Sequence, residues 1–205
     1  MGAPTLEREG ALWSDGYRLV AGIDEVGRGP IAGPVVAAAV VFRPGQPPLD
    51  GLLDSKVMTA LQRERLAGEI RRAAHAYALG SASVREIDRL NIRRATALAM
   101  RRALARLPLE PEYVLVDGNP LPELEYAHEA IVGGDGLCQS VAAAAVIAKC
   151  ARDRLMTRLA ARYPVFGWEH NMGYATRQHL TTLAAAGPTP HHRRSFAPLA
   201  QPELF

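Results

Sequence analysis

Apolar positions along this chain alternate between two rhythms, unbroken short runs and runs with helical spacing. Residues Tyr17 to Ile23 are largely apolar and lead into Asp24-Glu25, and Val35 to Phe42 is continuously apolar between Gly33-Pro34 and Pro44-Gly45. Such runs, bounded by Gly and Pro, predict strands over 17–25 and 35–42. The short connection between them makes the pair antiparallel. After a Pro- and Gly-rich loop over 44–54, Leu61, Leu66, Ile70 and Ala73-Ala74 adopt helical spacing behind Thr59, a natural N-cap. Tyr77 to Ala82 predicts a third strand. Ser83-Val84-Arg85-Glu86 has the form of a capping box that opens the next helix. Asn91 restarts that helix, and the stripe Ala95, Leu98, Ala99, Ala103 and Leu107 carries it to Pro108. Residues 112–117 and 127–132 predict a fourth and a fifth strand, and a long alanine-rich helix follows over about 137–161. Residues 1–15 lack periodicity and are expected to be a loose lead-in. Residues 166–174 have little periodicity, a shorter helix is expected near 176–185, and the stretch from Gly187 is punctuated by proline. The expected architecture is α/β: a five-stranded mixed sheet with flanking helices over 1–163 and a helical C-terminal extension over 164–205, packed as one structural domain.

Composition narrows the class without naming an activity. Apolar residues make up 48% and charged residues 22% of 205 positions, as in an ordinary globular protein. No apolar run is long enough to span a bilayer and no basic-then-apolar leader opens the chain, so a cytoplasmic location is expected. Cys138 and Cys150 form no metal-type spacing and read as reduced, packed thiols. The formal net charge of +3 is modest. Basic residues nevertheless recur at Arg93-Arg94, Arg101-Arg102 and His191-His192-Arg193-Arg194. Runs of this kind are commonly solvated faces, so they support a nucleic-acid surface only if chemistry elsewhere points to one.

That chemistry begins at Asp24-Glu25. Two carboxylates at the end of a buried strand are costly unless a cation shares their site, and a hard divalent ion that retains waters is the usual answer. Gly27 and Gly29 admit close approach of a ligand to backbone, and Arg28 presents a planar fork suited to phosphate. Asp117 ends the fourth predicted strand and is followed by glycine. Asp135, set among Gly133, Gly134 and Gly136, either caps the long helix or supplies a fourth carboxylate to the same cleft. Asp153 is the rival fourth acid, but its spacing from Lys149 suits an i,i+4 pair. Four acids at element ends suit two metal ions clamping a phosphodiester. Neighbouring residues on a strand face opposite ways. Asp24 and Glu25 therefore share a site only if the strand twists or breaks at Glu25, or if Glu25 acts through a water or its carbonyl.

The segment Asp24-Glu25-Val26-Gly27-Arg28-Gly29 resembles the signature of bacterial ribonuclease HII, the type 2 ribonuclease H. The likeness extends through Asp54-Ser55-Lys56, Leu90-Asn91-Ile92, Ala95-Thr96, Val116-Asp117-Gly118, Gly134-Asp135, Ser140 to Lys149, Arg152-Asp153-Arg154, Gly173-Tyr174 and His192 to Phe196. The resemblance implies a ribonuclease H-like fold and endonucleolytic cleavage of the RNA strand of RNA–DNA hybrids. It also implies incision at single ribonucleotides in duplex DNA, leaving 3′-hydroxyl and 5′-phosphate ends. Asp24, Glu25, Asp117 and Asp135 become the catalytic and metal-binding set, with Mg²⁺ or Mn²⁺ in a two-metal site. Gly27, Arg28, Gly29 and Tyr174 would read the ribose 2′-hydroxyl, and Lys56 and Lys149 would contact substrate. Gly133 and Ala145 depart from the lysine and serine that the family often carries there. The terminal Gln201, Leu204 and Phe205 resemble a sliding-clamp docking tail, and the chain is expected to be a monomer. Two rival readings remain: a type III ribonuclease H without single-ribonucleotide incision, and an inert hybrid-binding protein.

Overall fold

The computed structural model describes residues 3–52 and 58–200. Strand β1 (Val20–Val26) lies in the middle of a five-stranded sheet of order β3-β2-β1-β4-β5, completed by β2 (Val35–Val41), β3 (Ala76–Ala82), β4 (Tyr113–Asp117) and β5 (His128–Ile131). β1 pairs antiparallel with β2, and β2 with β3, whereas β1–β4 and β4–β5 are parallel. Every residue of β2 is buried, which is why its sequence is apolar without alternation.

Helices α3 (Val84–Leu90) and α4 (Ile92–Ala105) cover one face, where Ala95, Ala99, Met100 and Ala103 share a core with Ala21, Ile23, Ala37, Val114 and Val116. On the other face α2 (Ala60–Ala73) and α5 (Gln139–Arg162) pack over Ala38, Val40 and Phe42. Small residues allow these helices to lie close. A Cβ on Gly22 would stand 2.3 Å from the Ser140 backbone, and one on Gly80 would stand 2.1 Å from the Ala99 carbonyl oxygen. The expected caps are present. Thr59 with Gln62 and Ser83 with Glu86 form capping boxes, and Asn91, at φ 68°, accepts from the Arg94 N–H at 3.1 Å to restart the helix.

Two segments differ from expectation. Residues 7–14, expected to be loose, form α1 (Glu7–Ser14), whose single buried residue is the acid Glu9. Glu9 Oε1 accepts from the Ser140 N–H at 2.8 Å and its hydroxyl at 2.6 Å, filling donors at the start of α5. No apolar stripe announces a helix seated in this way. Within 166–174 the chain forms one helical turn, α6 (Trp168–Asn171), before α7 (Arg177–Ala186). Phe166, Trp168 and Leu183 of this C-terminal region pack on Ile31, Ala32 and Met156. Both cysteines are buried and unpaired, and burial pushes the thiol of Cys138 up to about 12 and that of Cys150 to about 11. Among the described residues no helix is long and apolar enough to cross a membrane.

Candidate functional site

Register brings the acids together. Ile23 of β1 sits opposite Val116 of β4, so the next residues, Asp24 and Asp117, leave neighbouring parallel strands side by side. Sheet parity puts both on the α5 face, since Gly22 abuts Ser140 and Leu115 packs with Val141. The third acid is tied to the second: the Gly134 N–H donates to Asp117 Oδ1 at 2.8 Å, and Asp135 follows in the same 3-10 turn (Gly134–Gly136). Asp135 is buried and does not cap the long helix, because the N-cap position of α5 falls to Cys138. Glu25 does not break the strand. β1 continues through Val26, still paired with β2. Glu25 therefore faces α4, and it reaches the site because the strand ends there and its rim is open from both faces.

A cleft of about 530 Å³ is lined by Asp24, Glu25, Asp117, Arg63, Lys149 and Tyr174, among others. A second of about 260 Å³, on the α4 side, shares Glu25 and Asp117 and adds Arg28, Arg93 and Thr96. A larger cleft of about 640 Å³, beside Val132 and Leu137, brings only one carboxylate, Glu7. Electrostatics single out the first. Burial, then repulsion from Glu25, Asp117 and Asp135, pushes the Asp24 carboxyl well above its ordinary range, against one stabilising bond from the Glu25 N–H at 2.7 Å. Burial raises Glu25 too, partly offset by Arg28, whose Nη1 lies 3.1 Å from Glu25 Oε1. Among the described residues no three Asp, Glu, His or Cys side chains are grouped closely enough to hold a metal as they stand. The donor set is all carboxylate, the chemistry that hard divalent ions take, and Asp24 and Glu25 are raised first by burial and then by the acids around them. On both counts the residues suit a divalent cation.

Cations frame the acids. Asp153 accepts from Lys149 Nζ at 2.8 Å and from Arg63 Nη2 at 3.4 Å. It thus aligns two cationic side chains on the cleft wall, the i,i+4 pairing read from the spacing. Lys56, Gln201, Leu204 and Phe205 lie outside the described residues.

The turn after β1 is built by two wholly buried arginines. Arg193 donates to the carbonyls of Gly27 (2.5 Å), Arg28 (2.8 Å) and Gly33 (2.9 Å). Arg152 donates to those of Pro34 (3.0 Å), Ala32 (3.1 Å) and Met172 (2.9 Å). Burial lowers Arg193 to about 9 and Arg152 to about 10, so both remain charged at neutral pH. Gly27 has φ +93°, and a Cβ there would stand 2.1 Å from Arg152 Nε. Tyr174 projects beside this turn, 48% exposed, and a Cβ on Gly29 would lie 3.6 Å from its ring. The 191–194 run is thus not the solvated face that charge runs usually make: His192 and Arg193 are buried. Sequence reasoning missed Arg63 and the clamping arginines. Arg63 meets Asp153 across 90 positions, and Arg152 and Arg193 reach the turn after β1 across 118 to 166, which no local pattern encodes.

A family model described as Ribonuclease HII matches residues 21–199. A ribonuclease HII from Cereibacter sphaeroides is 53% identical over 197 residues, 96% of this chain and 92% of its own. Among solved structures, ribonuclease H2 from Pyrococcus horikoshii matches with a TM-score of 0.75 at 27% identity, over 90% of this chain and 97% of its own. The PCNA:RNase HII complex from Archaeoglobus fulgidus matches at 0.71 and 28%, over 85% and 93%. The sheet order and flanking helices are therefore those of the ribonuclease H-like fold. The chain belongs to the ribonuclease HII family and is an endoribonuclease.

Proposed function

We propose that the hybrid endonuclease activity that goes with this family runs here as divalent-metal-dependent hydrolysis, and that it extends to single ribonucleotides embedded in duplex DNA. The observation that carries the reading is the strand register and turn that bring Asp24, Asp117 and Asp135 together, beside a cleft that Glu25 and Tyr174 also line. Asp24, Glu25, Asp117 and Asp135 would hold the ions, Mg²⁺ or Mn²⁺. When bound, such ions neutralise the carboxylates and make water acidic enough to attack a phosphodiester at neutral pH, with 3′-hydroxyl and 5′-phosphate products. The protein's own groups do the rest. Arg28, Arg63 and Lys149 attract the phosphate backbone, and Asp153 keeps the last two aligned. The turn at Gly27-Arg28-Gly29 admits the sugar edge, and the Tyr174 phenol hydrogen-bonds the 2′-hydroxyl while its ring packs on the ribose.

A labelled duplex with one embedded ribonucleotide, incubated with Mg²⁺, Mn²⁺ or a chelator, tests this reading. A nick at the ribonucleotide with either metal and none with chelator is expected. Cleavage of a full hybrid but not of this duplex would favour a type III activity, and binding without cleavage would favour an inert binder. Metal binding itself should raise the melting temperature of the free protein, because it relieves carboxylate repulsion.

A sliding-clamp partner for the terminal Gln201, Leu204 and Phe205 belongs to the same proposal. It is supported by the Archaeoglobus relative having been solved with PCNA. Full-length protein should bind purified clamp and a chain ending at Ala200 should not; equal binding disposes of the idea.

A further inference from the structure

Trp168, His179 and His192 are buried beneath the loop that carries Tyr174. Fixed donors dictate where each ring proton sits. An indole nitrogen can only donate, and Trp168 Nε1 donates to His179 Nε2 at 3.1 Å. His179 Nε2 is therefore an acceptor and its proton sits on Nδ1, which donates to the Tyr174 carbonyl at 2.8 Å. For His192 the arrangement is reversed. The Thr189 N–H donates to its Nδ1 at 3.0 Å, leaving its proton on Nε2, which lies 3.0 Å from His179 Nε2 and shares that nitrogen's one lone pair with the indole N–H. Both imidazoles are neutral, and only one tautomer of each fits. Burial keeps them so, and with its neighbouring histidines holds His192 down to about 4.

Tyr174 needs such a hold. Its ring is half exposed, and it follows Met172 at φ 50° and Gly173 at φ 85°, outside any helix or strand. One lone pair of its carbonyl takes the Thr176 N–H at 2.8 Å. His179 fills the other from within the core. The residue after His192 is Arg193, which grips the carbonyls of Gly27 and Arg28. Adjacent residues thus secure the two sides of the sugar-binding notch, one directly and one through His179.

We propose that His179 is a positioning residue for Tyr174, its Nδ1–H orientation enforced by Trp168 and His192. The inference rests on the reading of Tyr174 as the ribose sensor, and the experiment separates the two. In the unmodified protein at neutral pH, nitrogen NMR of the imidazoles should show His179 protonated on Nδ1 and His192 on Nε2. An Nε2-protonated His179 overturns the proposal, whatever the variants do. His179→Asn keeps an N–H near the Nδ1 place, whereas His179→Gln reaches only the Nε2 place. On the single-ribonucleotide duplex with Mg²⁺, His179→Gln should lower kcat about tenfold, as displaced contact groups do, with KM nearly unchanged. His179→Asn should recover most of that loss. In a Tyr174→Ala background, His179→Gln should cost nothing further. Equal losses for Asn and Gln, or an undiminished loss without the tyrosine, would mean that the histidine merely supports the fold. If Tyr174→Ala alone cuts as well as the parent, the sensor reading fails first and the positioning role falls with it.

Discussion

Asp24 carries three neighbouring negative charges on a side chain only 8% exposed, so its ionised form is held against both solvent loss and repulsion. Replacing it with asparagine removes charge at nearly constant shape. Asp24→Asn should therefore melt higher than the parent in chelator, yet lose turnover on the order of a thousandfold, the scale of charge stabilisation that metal sites supply. A variant that cuts at the parental rate would remove Asp24 from the machinery. Gly27 makes the opposite case. At φ +93° any side chain is strained, and Arg152, fixed by three carbonyls, cannot swing aside. Gly27→Ala should cost about 3 kcal/mol in chemical denaturation, combining backbone strain and overpacking. At this scale the sequence was informative wherever chemistry was local: the Asp24-Glu25 pair, the glycines beside Arg28, and Asp117 before Gly118. Glu25 differed because parity forbids it the Asp24 face while a strand end forgives the difference.

Elements place these residues, and small side chains place the elements. Gly22 and Gly80 each meet a helix backbone closer than any Cβ allows, at Ser140 and Ala99. Gly22→Ala must move α5 away from β1, and with it the wall that bears Lys149. We expect a loss of roughly 3 kcal/mol or more in urea melts, larger than for alanine at Gly45, which meets nothing within 4 Å. The same reasoning explains which elements could be read. Strands buried on both faces announce themselves by unbroken apolar runs, and helices with caps and stripes by spacing. α1 has neither, because what it buries is the carboxylate of Glu9, whose partner is Ser140. Nothing within residues 7–14 records that distant hydroxyl.

Three histidines, half-buried His191 as well as buried His179 and His192, make the whole molecule sensitive to acid. The folded-state values of His179 and His192 are depressed below the ordinary 6.5, that of His192 to about 4. The stability they confer is present above about pH 6.5, and it is lost as pH falls toward 4, because the unfolded chain binds protons that the folded chain refuses. Asp24 and Glu25, raised in the fold, act in the opposite sense. A His192→Gln variant should therefore show a shallower fall in melting temperature than the parent between pH 6.5 and 4, and equal slopes would contradict the assignment.

Arg193 closes the turn around residues 27–33 from 160 positions or more along the chain. On a ribosome the acids of the turn emerge well before the side chain that shapes the loop behind them. A nascent chain that has not yet reached Arg193 is therefore expected to leave nucleic acid uncut. Chains truncated from the C-terminal side should stay inert unless they retain residue 193, however much of the sheet they contain.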